Sequence, residues 1–158
     1  MNWLVLLLLS LSLAADARSF LHRAVEPARM GLDISISGEK VTTYVVINEE
    51  SLLFLSGMME TTNIYWALKN AELFAEPSVG AHCRVISHKV NQEVNRINGF
   101  QTLQCERPGK LKSMRVDLYK VIPKLKAVDV WVTSQRWQEK TTVYPDNPMV
   151  MIRSGVLR

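Results

Sequence analysis

Leu32, Ile34 and Ile36 alternate with Asp33, Ser35 and Ser37, a two-residue period that puts the apolar set on one side of an extended strand. Ser37-Gly38-Glu39-Lys40 then reads as a turn. The stretch 41–47 that follows is rich in β-branched residues, which suit a pleated, half-buried surface. Residues 31–47 therefore predict a β-hairpin. After Asn48 the period changes. Ile64, Ala67, Leu68, Ala71, Phe74 and Ala75 recur at three- and four-residue steps, with Thr61 or Thr62 able to cap the run and Pro77 placed to stop it. This predicts one helical region within 48–76. Its first part, Leu52-Leu53-Phe54-Leu55, reads equally as a buried strand or an early helical turn, and Gly57 argues against one unbroken helix.

Beyond Ala81 strand patterns dominate. Residues 83–90 and 100–105 read as strands, and so do Met114, Val116 and Leu118, which alternate with Arg115, Asp117 and Tyr119. Val128, Val130 and Val132 alternate with Asp129, Trp131 and Thr133. A last pair is expected at 140–144 and 149–152 around the turn Pro145-Asp146-Asn147-Pro148. The expected fold is α+β, with one main helix packed on a curved antiparallel sheet in the order ββ-α-ββββ. It occupies a single globular domain over 31–153, after an N-terminal arm at 18–30 and before a short tail at 154–158.

The start of the chain changes the picture. An apolar run from Leu4 to Ala15 is broken only by Ser10 and Ser12, and Ala15-Asp16-Ala17 supplies small residues where a signal peptidase reads. The run is shorter than the roughly 20 apolar residues a membrane-crossing helix needs. Residues 1–17 are therefore expected to be a signal peptide, and the product to be secreted or to lie in a secretory-pathway lumen. The remaining ~140 residues are enough for one ordinary core.

Export bears on Cys83 and Cys105, the chain's two cysteines. In an oxidising compartment they form one bridge. The bridge and the turn signal Asn98-Gly99 make conflicting demands on register. A tight turn there pairs Gln92 with Cys105, whereas cysteines that face each other turn 89–99 into a long polar loop. The loop is favoured, because Asn91, Gln92, Glu93, Asn95 and Arg96 are poor strand formers.

Charge is uneven. Residues 18–81 carry five basic and eight acidic side chains, and residues 82–158 carry fourteen basic and six acidic ones. Arg107, Lys110, Lys112, Arg115, Lys120, Lys124 and Lys126 fall close together against Asp117 alone. Such a cluster suits an acidic protein surface, an anionic glycan or a lipid headgroup. Lysines that protect a sheet edge explain the same residues without a ligand. Nucleic acid is disfavoured by compartment, and no transmembrane segment is expected in the mature chain. Trp131 and Trp137 are the aromatic binding candidates, with core packing the plainer alternative for both.

No nucleophile–base pair, phosphate cradle or metalloprotease helix is visible, so no catalytic residue is assigned and an enzyme is not expected. The histidines His22, His82 and His88 are scattered. His82 and His88, an even number apart, reach one side of a flat strand with Arg84, which suits a pH-sensitive or metal-touching patch, two surface histidines being the plainer reading; with Cys83 they bring no fourth ligand, so a structural zinc site is not expected. No metal or other cofactor is expected. The function that emerges is a secreted, non-enzymatic binding protein using its basic half. The alternatives are an extracellular protease inhibitor on a helix-over-sheet scaffold and a carrier of a small apolar ligand held among Ile64, Leu68 and Val130.

Overall fold

A computed structural model of the chain describes residues 28–57 and 59–153. The expected leader, most of the expected arm and the expected tail lie outside these residues. The first hairpin forms as its pattern dictates. Strand β1 (Arg29–Ser37) pairs antiparallel with β2 (Lys40–Ile47), with Gly38 at φ 57° in the turn, a left-handed conformation that a glycine adopts without strain. Two short helices follow, α1 (Glu49–Ser56) and α2 (Thr61–Lys69). The Asn48 side chain caps α1 by accepting from the Ser51 N–H at 2.9 Å, and Glu49 and Glu50 lie in its first turn, where acidic groups complement the helix dipole. The ambiguous Leu52–Leu55 stretch is thus helical, and Gly57 ends it.

The expected single helix on a purely antiparallel sheet is not what forms. Nine strands dominate the described residues, arranged in two sheets. After Asn70 the chain leaves the helix, although Phe74 and Ala75 continue its spacing. The Phe74 N–H is taken by the Gln101 side chain at 2.8 Å, and β3 (Ala75–Pro77) pairs with β6 (Ser113–Val116). Both partners lie far along the chain, so a local period could not reveal them. Leu118, expected on a strand, instead begins the one-turn helix α3 (Leu118–Val121).

The larger sheet has the order β4-β5-β2-β1-β7-β8, with β4 at Cys83–Glu93, β5 at Arg96–Cys105, β7 at Ala127–Ser134 and β8 at Gln138–Val143. β7 runs parallel to β1, while every other neighbouring pair in the sheet is antiparallel. The smaller sheet is β3-β6-β9, with β9 at Met149–Met151. The two last strands therefore do not form the expected hairpin. β8 pairs with β7 and β9 with β6, and only a Tyr144–Asn147 bridge closes the turn between them.

Period-two burial gives the large sheet a covered and an open face. Leu32, Ile34, Val41, Val45, Ile97, Leu103, Val128, Val130 and Val132 join Ile64, Leu68 and Phe74 of the helical segment, and Met114, Val116 and Val150 of the small sheet, in one buried cluster. Ile64, Leu68 and Val130, named above as lining for an apolar ligand, are fully buried members of that core. The open face carries Asp33, Tyr44, Phe100, Asp129, Trp131, Lys140 and Thr142.

Candidate metal-contact site

The expected bridge is present, with Cys83 and Cys105 directly opposed across β4 and β5. The two strands run on to a two-residue turn at Val94-Asn95, pairing Glu93 with Arg96, so 89–99 is not a loop. The register conflict disappears because the turn is at Val94-Asn95 and not at Asn98-Gly99, and a one-residue bulge at Ile86 lets that two-residue turn coexist with facing cysteines. Asn98-Gly99 lies inside β5, where Gly99 serves packing, because a Cβ there would sit 2.7 Å from Cζ of Phe74.

The bridge has a consequence for its neighbours. His82 immediately precedes Cys83, and Glu106 immediately follows Cys105. His82 closes the short 3-10 turn Val79–Ala81 and adopts φ 49°, ψ 59°, a left-handed conformation that is uncommon outside glycine. Three backbone bonds hold it there: its own N–H donates to the Val79 carbonyl (3.1 Å), the Glu106 N–H to the His82 carbonyl (3.2 Å), and the Arg107 N–H to the Ala81 carbonyl (3.0 Å). The two side chains converge as a result. His82 Nδ1 lies 3.7 Å from Glu106 Oε2, with the side chains 47% and 72% exposed.

An imidazole nitrogen and a carboxylate oxygen are ordinary zinc ligands, and a pair of them leaves the other tetrahedral positions to water or to a second molecule. This arrangement can touch a divalent cation at the surface and cannot enclose it. Nothing else among the described residues completes it: no three His, Cys, Asp or Glu side chains come together as a metal group there. Both sulfurs are oxidised, and zinc binds thiolate.

His88 does not join His82. The bulge between them breaks the even spacing, and His88 pairs with Gln101 on the covered face. Its Nδ1 lies 2.9 Å from Gln101 Nε2, an amide donor, so Nδ1 accepts and the proton sits on Nε2, itself buried without a hydrogen-bond partner. Burial pushes the His88 pKa below the ordinary histidine value, and the nearby Leu68 carbonyl pulls weakly the other way. Neither nitrogen is available to a metal.

The expected basic residues fall on several elements. Arg107 and Lys110 flank or join a 3-10 turn (Pro108–Lys110), Arg115 is on β6, Lys120 is on α3, and Lys112, Lys124 and Lys126 lie in connecting segments. Two of the seven are spent internally. Arg115 binds both Asp117 (2.9 Å) and Glu76, and Lys120 binds Asp117 (3.0 Å). Trp137 is half-buried against the core beneath Arg153, whose guanidinium carbon is 5.8 Å from the ring centre. Trp131 is on the open face, with Lys140 Nζ 4.6 Å from its ring centre.

Among protein families, the ZrgA family of zinc uptake proteins matches residues 60–152, from the start of α2 to the end of β9. The chain belongs to the ZrgA family. No curated protein matches it.

Membership in a zinc uptake family makes this a binding protein and not an enzyme. It also corrects the expected partner. The family points to a metal ion, not to an acidic protein surface, an anionic glycan or a lipid headgroup. The His82–Glu106 pair was missed, although its signal was legible: once the cysteines are taken to face each other, their outer neighbours must face each other too.

Proposed function

We propose that this ZrgA-family chain is an exported, non-enzymatic component of zinc uptake that makes a weak, exchangeable zinc contact through His82 and Glu106. The observation that carries this reading is the 3.7 Å approach of the two side chains in the left-handed corner stapled by the Cys83–Cys105 bridge. Two ligands with open positions suit a cargo ion that is picked up and passed on, because a second molecule can supply the missing donors. The bridge supports a compartment outside the reducing cytosol, and the expected leader at 1–17 belongs to the same proposal. Among the described residues no helix is long and apolar enough to cross a membrane.

Calorimetric titration of the oxidised protein with zinc chloride, in buffer free of chelating groups, tests the reading. One saturable zinc per chain is expected. His82→Ala and Glu106→Gln should each weaken it by about tenfold or more, since loss of even an outer-shell group costs about that much. Reduction of the bridge should weaken it as well, with circular dichroism confirming that the fold survives. Zinc binding that persists in the double variant, or that disappears on changing His22→Ala alone, overturns the assignment.

A further inference from the structure

On the open face of the large sheet, strand register lines side chains up in rows that cross the strands. One row reads Lys89, Phe100, Tyr44, Asp33, Trp131, Lys140 from β4 to β8. The next contains Val46, Gly31, Asp129 and Thr142. Where both rows cross β1 and β7 there is a groove of about 890 Å³, lined among others by Asp33, Ser35, Asn48, Trp131, Thr133 and Lys140. This lies within the size range of small-molecule sites, roughly 300–1,000 Å³.

Two charges lining this groove, Asp33 and Lys140, have no ion pair among the described residues. Asp129 accepts from Arg29 at 2.9 Å and from Thr142 Oγ1 at 2.6 Å, which holds its carboxyl below the usual carboxylate range despite burial. Lys140 rests over the Trp131 ring. Asp33 makes no hydrogen bond or ion pair among the described residues, and although its side chain opens to the groove, partial burial pushes its carboxyl above the usual range. A carboxylate that has no partner in the protein and opens to a groove beside an aromatic face is a place where a cation is held. Trp131 beside it already attracts one cation, Lys140, through its ring face. Trp131 lies over Gly31, with Cζ3 3.4 Å from where a Cβ would stand.

We propose that this groove binds a small organic cation, an amine or guanidine. Its charge rests on Asp33, its apolar part lies against Trp131, and the Ser35 and Thr133 hydroxyls are within the same groove to receive further N–H groups. Zinc is a poorer fit, since Asp33 is the one carboxylate in the lining without a partner and brings no histidine with it. The site shares no residue with the His82–Glu106 contact, so each can fail without the other.

Agmatine, which carries an amine and a guanidine on a short apolar chain, is the probe. It is titrated into the full oxidised chain with EDTA present, so that zinc plays no part. The expected result is a saturable shift of the Trp131 indole N–H resonance, assigned by its loss in Trp131→Phe. Asp33→Asn should weaken binding about tenfold or more, the worth of a charge-assisted hydrogen bond, and Asp33→Glu should recover part of it. Lys140→Met should tighten binding at least about twofold by removing the competing cation from the ring. His82→Ala should bind as the wild type does. No saturable shift in the wild-type protein, or a shift that survives Asp33→Asn, overturns the proposal.

Discussion

Replacing Gln101 by leucine should destabilise the protein out of proportion to the small change in shape. Gln101 lies on the covered face of β5 and is fully buried. Its Oε1 accepts the Phe74 N–H at 2.8 Å, and its Nε2 approaches the Glu72 carbonyl (3.1 Å), the Ala71 carbonyl (3.4 Å) and His88 Nδ1 (2.9 Å). One amide therefore holds the chain at the point where it leaves α2 for β3, and selects the His88 tautomer as well. Leucine fills similar space and makes none of these bonds. The buried Phe74 N–H loses its acceptor at a cost of about 2 kcal/mol, and the bonds on the other side of the amide add about 1 kcal/mol, since those carbonyls can be partly resatisfied. Urea unfolding at about pH 8 should show a loss near 3 kcal/mol. The pH dependence sharpens the test. His88 resists protonation in the folded state, whereas the unfolded chain accepts a proton near its ordinary value of 6.5. Its share of stability is complete above that value and is lost as pH falls through it, levelling off below the folded-state pKa. Part of that loss in the wild type comes from an Nδ1–H that would point at the Gln101 amide donor. Gln101→Leu should therefore start lower at about pH 8 but lose less on going to about pH 5. A variant within about 0.5 kcal/mol of wild type, or one with unchanged acid sensitivity, would refute the claim that this amide organises the turn.

Two further substitutions probe the same core from other sides. Gly99→Ala places a methyl 2.7 Å and 2.9 Å from ring carbons of the fully buried Phe74, so the ring must move against His88. Overpacking of this kind should cost about 1–3 kcal/mol in denaturant melts, and an unchanged midpoint would mean that the ring is not confined. Tyr119→Phe removes a hydroxyl that donates to the Val143 carbonyl at 2.6 Å, for about 1 kcal/mol. Burial, above all, pushes that phenol up to about 12 from 10.0, so wild-type stability should fall as pH rises from 10 through 12, as the unfolded chain loses the proton first. The phenylalanine variant should lack this alkaline loss, and melts that remain parallel across the range would contradict the assignment.

If His82 and Glu106 make the proposed zinc contact, the disulfide has two roles. Closing a loop with a sequence separation of 22 stabilises the fold by about 3 kcal/mol on the chain-entropy model. It also fixes two residues that the strand ladder alone leaves at its frayed end. A sharp corner held by one covalent bond and three backbone hydrogen bonds keeps an exposed pair together, where two exposed side chains would otherwise spend rotamer entropy to meet.

What the sequence determined by itself was local: the β1–β2 hairpin, the valine strand β7, the breaks at Gly57 and the helical spacing from Ile64 to Leu68, each written in a period short enough to read along the chain. The pairing of two lone cysteines was legible for the same kind of reason, since the expected export leaves them few other fates. Tertiary structure decided everything that rests on distant partners. Phe74 and Ala75 keep a helical spacing, yet the Gln101 amide and the β6 ladder take them out of the helix, because bonds made in the folded interior outweigh a propensity worth tenths of a kcal/mol per residue. β7 lies beside β1 in parallel, and β8 and β9 part company, because burying Val128, Val130 and Val132 next to Leu32 and Ile34 completes one apolar face that no adjacent strand could supply. The candidate site follows the same division. Its two ligands are separated by a whole hairpin, and a single bulged residue, Ile86, is what brings a tight turn and a facing cysteine pair into one register.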